Sequence, residues 1–77
     1  MYMKFYLRIT GPKEYLPEGI KYEEHTIYRE DIEDVREEDE MDQNVIDYII
    51  EEEIAEWEQR WCTAIQITEE EYEKLKK

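Results

Sequence analysis

Apolar and polar residues alternate from the start of the chain: Met3, Phe5, Leu7 and Ile9 fall on one side, Tyr2, Lys4, Tyr6, Arg8 and Thr10 on the other. A period of two is that of a half-buried β-strand. Gly11-Pro12 ends it, because proline offers no amide proton, and Pro17-Glu18-Gly19 marks a second reversal. Between them, Tyr15 and Leu16 are expected to fold back onto the core. Tyr22, Thr26, Ile27 and Tyr28 suit a second strand, placed near residues 24–28. The period then changes. Ile32 and Val35, three residues apart amid acids, predict a short helical turn, weakened by repulsion between its own carboxylates. From about Asp42 to Arg60, Val45, Ile46, Ile49, Ile50, Ile54, Trp57 and Trp61 recur every three or four residues and predict a long helix whose stripe is buried. Cys62 to Ile67 reads as a short strand. Thr68-Glu69-Glu70-Glu71 matches a capping box, opening a last helix with Tyr72 and Leu75 inside.

This order predicts a single α+β domain over residues 1–77, a small antiparallel sheet with one long amphipathic helix packed across it and one or two short helices. The isoleucine and tryptophan stripe is rich for a monomer built on one thin sheet. A homodimer is therefore expected, unless the two tryptophans cap the core of a single copy.

Length narrows function. Seventy-seven residues and 9.6 kDa are too few for a dinucleotide-binding domain with a partner domain, an (α/β)-barrel or an immunoglobulin sandwich. Charge narrows it further, with 23 acids against 10 bases giving −13. The excess is concentrated. Residues 1–22 hold four bases and two acids, residues 23–58 two bases and seventeen acids, and residues 59–77 four of each. A surface this negative repels nucleic-acid phosphates and anionic membranes and attracts basic proteins. No apolar run long enough to span a bilayer and no signal-peptide pattern is present, and the single Cys62 has no intramolecular disulfide partner, so a cytoplasmic location is expected.

Residues suited to catalysis are sparse. His25, beside Glu23 and Glu24, has no second histidine and no partner pointing to a metal or a nucleophile, and reads as a surface or sheet-edge side chain. Cys62 reads as a small buried hydrophobe. The calcium-loop pattern is missing, and the two glycines, Gly11 and Gly19, form no phosphate-binding loop. No enzyme activity, cofactor or specific metal is expected.

The acids themselves are the candidate site. On the long helix Asp47, Glu51 and Glu58 lie along one line and Glu52 and Glu56 along the next, away from the apolar stripe. Acids one helical turn apart stand about 5–6 Å from each other, near the phosphate step of one nucleic-acid strand. With Glu30, Asp31, Glu33, Asp34, Glu37, Glu38, Asp39, Glu40 and Asp42 they form the candidate partner-binding set, to which exposed tyrosines such as Tyr22, Tyr28 or Tyr48 would add stacking on arginine. Lys4, Arg8, Lys13 and Lys21 are expected on another side. An acid run is also the ordinary solvated face of a soluble protein. Self-repulsion destabilises the fold, a cost that solubility alone does not require.

The small, acidic, folded chain with the run Arg29-Glu-Asp-Ile-Glu-Asp-Val-Arg-Glu-Glu-Asp-Glu40 resembles the DNA-mimic proteins of phages, in particular the Bacillus-phage host-takeover inhibitors of the nucleoid protein HU. The likeness is one of size, charge and dimeric habit, and it transfers no residue role by position. It implies an inhibitor that occupies the basic DNA-binding surface of a host protein, with HU the leading candidate, and displaces DNA. A different class also fits the charge: an antitoxin-like or anti-CRISPR-like inhibitor that covers a basic nuclease outside its nucleic-acid groove.

Overall fold

The computed structural model describes residues 2–36 and 42–76. Its elements are β1 (Tyr2–Thr10), a 3-10 turn (Lys13–Tyr15), β2 (Ile20–Glu23), β3 (Thr26–Asp34), α1 (Gln43–Gln59), β4 (Thr63–Ile67) and α2 (Glu69–Leu75). The architecture is α+β. Four strands form one antiparallel sheet in the order β2-β3-β1-β4. Because β3 and β4 both run antiparallel to β1, which separates them, α1 carries the chain across β1 from one to the other.

The alternation of β1 sorts the molecule into two cores. Phe5, Leu7 and Ile9 pack with Ile27, Ala64 and Cys62 beneath Ile50 and Trp57 of α1, with Met3, Leu16, Ile46 and Ile54 half-buried around them. On the opposite face Tyr6, Tyr28 and Ile67 pack against Tyr72 of α2. Each fully buried large apolar side chain stabilises the fold by about 1.5–3 kcal/mol. The sheet thus has a helix on each face. Within one copy of the chain Ile50 and Trp57 of the α1 stripe are buried, and Val45, Ile46, Ile49 and Ile54 are half-buried.

Local signals placed both helices well. Asp42 is the N-cap of α1, its Oδ1 accepting from the Asn44 amide at 3.0 Å, and Thr68 caps α2 by accepting from the Glu71 amide at 3.1 Å. Three expectations fail. First, the strand near residues 24–28 and the helical turn at Ile32–Val35 are one nine-residue strand, β3, paired from Tyr2↔Asp34 to Thr10↔Thr26. All nine residues of β1 pair with it, and strand alternation sends its crowded acids to two faces, whereas a helix would stack them one turn apart. Second, Trp61 is 76% exposed. The helix ends at Gln59, beside the expected Arg60, in a Schellman arrangement in which the Cys62 amide donates to the Trp57 carbonyl (3.0 Å) and the Trp61 amide to that of Glu58 (3.2 Å), so Trp61 lies past its end. Trp61 therefore takes φ 68°, a left-handed position normally given to glycine and costing a side-chain-bearing residue about 1–2 kcal/mol. Third, Tyr15 points largely outward, although Leu16 does pack on the core.

Gly11 closes the same end of the molecule. Its amide donates to the His25 carbonyl at 3.0 Å, and a Cβ there would come within 2.8 Å of Cys62 Sγ. Only a residue without a side chain fits.

Candidate acidic interaction face

Two elements, α1 and β3, supply the described acids of the candidate set. On α1 the positions predicted to face outward do so: Asp47, Glu51, Glu52, Glu56 and Glu58 are all exposed, as is the capping Asp42. Two are oriented by neighbours one turn earlier. Gln43 Nε2 donates to Asp47 at 2.7 Å, and the Tyr48 hydroxyl donates to Glu52 at 2.7 Å. That hydrogen bond, with the carboxylate charge, raises the Tyr48 phenol above its ordinary pKa and keeps it a neutral donor.

On β3 the acids divide. Asp31 and Glu33 oppose Phe5 and Met3 and so lie on the face that α1 covers, whereas Glu30 and Asp34 project from the α2 face. The Asp31 side chain is only 12% exposed and takes a 2.8 Å hydrogen bond and ion pair from Arg29 Nε. The Arg29 guanidinium also stands 5.9 Å from the centre of the Trp57 ring, which Arg60 approaches at 5.0 Å. Beside this contact, the buried atoms Asp31 Oδ2 and Trp57 Nε1 have no hydrogen-bond partner among the described residues. Glu30 lies 4.0 Å from Lys4 Nζ on the far side of the sheet. Glu37, Glu38, Asp39 and Glu40 lie outside the described residues.

One acid that sequence reasoning passed over belongs to the seam between α1 and β3. Glu53 is half-buried, and its pKa is raised, first by burial and then by the charges of Asp31, Glu56 and Glu33, with Arg29 opposing. Its signal was present in the spacing Ile50-Glu53-Trp57, three and four residues apart, which sets a glutamate at the margin of the apolar stripe. Glu53 marks the flank of α1 toward β3, and the Asp47–Glu51–Glu58 line lies about 140° around the helix from it.

The acidic face thus consists of α1 from Asp42 to Glu58 together with the Glu53, Asp31 and Glu33 seam. Glu30 and Asp34 belong to a different surface, shared with Lys4 and Arg8. Lys13 and Lys21 line a groove at the β2 end with Leu16 and Ile27. Of the tyrosines, Tyr22 and Tyr48 are exposed, but Tyr28 is buried, its ring meeting Tyr22 edge-on at 5.2 Å, and is out of reach of a partner.

The remaining chemistry is muted. Burial pushes the Cys62 thiol up, which Arg60 only partly offsets, so it is a poor nucleophile. Among the described residues no three His, Cys, Asp or Glu side chains are grouped to hold a metal ion, and no helix is long and apolar enough to cross a membrane. Compared with known proteins, the chain matches no family model, no curated protein and no solved structure.

Proposed function

We propose that this chain is a DNA-mimic inhibitor that occupies the basic DNA-binding surface of a bacterial DNA-binding protein, HU being the leading candidate, and displaces DNA from it. The observation carrying this reading is the exposed acid array of α1: five carboxylates from Asp47 to Glu58 on a single helix whose opposite side is anchored to the sheet by Ile50 and Trp57. Acids held one turn apart on such a helix, as Asp47 and Glu51 or Glu52 and Glu56 are, keep a spacing near that of backbone phosphates. Carboxylates accept the forked donors of arginine as phosphates do, so the target's cations exchange one anionic partner for another. Association is fast and weakens with salt, because the attraction is long-ranged and screened.

The test is competition. Labelled duplex DNA bound to HU is titrated with this chain and followed by fluorescence anisotropy. The expected result is full release of DNA, at a half-effective concentration that climbs steeply between low and physiological salt. Changing Glu51, Glu52, Glu56 and Glu58 together to Gln should abolish release, while each single change has little effect because the field is shared. A ternary complex that retains DNA would overturn this reading in favour of an inhibitor seated outside the nucleic-acid groove.

A further inference from the structure

The acid array has a neighbour of opposite character. Residues 61–68, Trp-Cys-Thr-Ala-Ile-Gln-Ile-Thr, carry no charge and form the longest uncharged run in a chain that is 43% charged. They contain β4, a terminal strand of the sheet whose outer edge pairs with no other strand among the described residues. Sheet edges are ordinarily protected by charged side chains, proline or bulges. The opposite edge has such protection: β2 is four residues long, carries Lys21 and Glu23, and has a register shift between them. On β4 nothing comparable is present, and two large apolar side chains, Trp61 and Ile65, lie exposed along it.

We propose that the outer edge of β4 receives an extended, lysine- or arginine-bearing segment of a partner protein as a fifth strand. Main-chain hydrogen bonds to β4 would hold the segment, as in strand addition generally. Charge complementarity selects this occupant. Helix α1 packs against β4 and carries Asp47, Glu51 and Glu58 exposed to solvent. Alternate side chains of an added strand, about 6.5–7 Å apart, point toward α1. Asp47 and Glu51, four residues apart, stand about 6 Å from each other along the helix, so the spacing of cations on one face of the segment matches that of these carboxylates. The exposed indole of Trp61 at the entrance to β4 offers its face to another cation. A second copy of this chain is disfavoured at this edge, because two antiparallel β4 strands would bring two such acid lines together. The inference rests on the chain being a binder of basic proteins, but not on competition with nucleic acid.

The probe is a ten-residue peptide alternating lysine with valine, added to the full chain without DNA. Amide exchange is followed by NMR and affinity by calorimetry. Alternate amides within Thr63–Ile67 should slow at least tenfold when the peptide binds. Methylating alternate backbone nitrogens of the peptide should weaken binding at least tenfold with its charge unchanged. The triple change Asp47→Asn, Glu51→Gln and Glu58→Gln should weaken binding similarly, and Trp61→Gly should weaken it without lowering the melting temperature. Binding that leaves the β4 amides unprotected and tolerates backbone methylation would overturn the inference while leaving the DNA-mimic reading intact. Failure of the peptide to bind would overturn it, as would a free protein that sediments as a dimer with those amides already protected.

Discussion

Strand β3 and helix α1 carry the same kind of residue to opposite effect. Glu30, Asp31, Glu33 and Asp34 succeed one another along β3, and the strand period sends two beneath α1 and two to the far face of the sheet. Helix α1 spreads its acids around a cylinder, so that only Glu53 is drawn into the seam while Asp47, Glu51, Glu52, Glu56 and Glu58 stay in solvent. A carboxylate in water costs little and remains available to a partner, whereas one largely buried, as Asp31 is, must be compensated within the protein. Charge counted along a chain therefore overstates the charge a partner meets, and the backbone period decides by how much.

The largest expected effect comes from separating the two elements. Trp57→Ala should lower stability by about 3–5 kcal/mol, read from urea unfolding, because it opens a cavity where the helix meets the sheet and removes the ring beneath Arg29. Next is the ion pair itself. Arg29→Met should cost about 2 kcal/mol by leaving Asp31 poorly solvated and unpaired, and adding Asp31→Asn should restore part of the loss. If both variants matched the parent, the distinction between packed and solvated acids would fail. Trp61→Gly should act in the opposite direction, raising stability by about 1 kcal/mol by relieving the left-handed backbone.

Smaller effects sharpen the contrast within α1. Glu53→Gln should stabilise the protein at neutral pH by on the order of 0.5 kcal/mol, after allowance for solvent screening. The sign follows from its raised folded pKa: the folded protein holds this proton more tightly than the unfolded chain. The destabilisation due to Glu53 is complete above the raised value and fades as pH falls toward the ordinary carboxylate range. Urea titrations across that window should show a smaller pH dependence for the variant. Glu51→Gln, two residues away on the solvent side of α1, should change stability by no more than about 0.5 kcal/mol.

The α1 half of the acidic face was legible before any coordinates, because helix periodicity and the Ile50-Trp57 stripe fix which positions point away from the core. The β3 half was not. Ile32 and Val35 stand at a helical spacing, but Ile32 lies opposite Lys4 in the sheet and is 54% exposed, while Val35 follows the strand and is buried. Trp61 misled for a related reason, since spacing continues a stripe past the residue at which hydrogen bonding ends the helix.

Local patterning thus determined the alternation of β1, the extent of α1, both N-caps and the concentration of charge in the middle of the chain, since each depends on residues within a few positions of one another. Tertiary structure alone decided that β3 extends through the acids, that Glu53 feels the charges of Asp31 and Glu33, and that uncharged β4 forms a sheet edge. Those outcomes depend on which strand pairs with which across many intervening residues, and no local period encodes that choice.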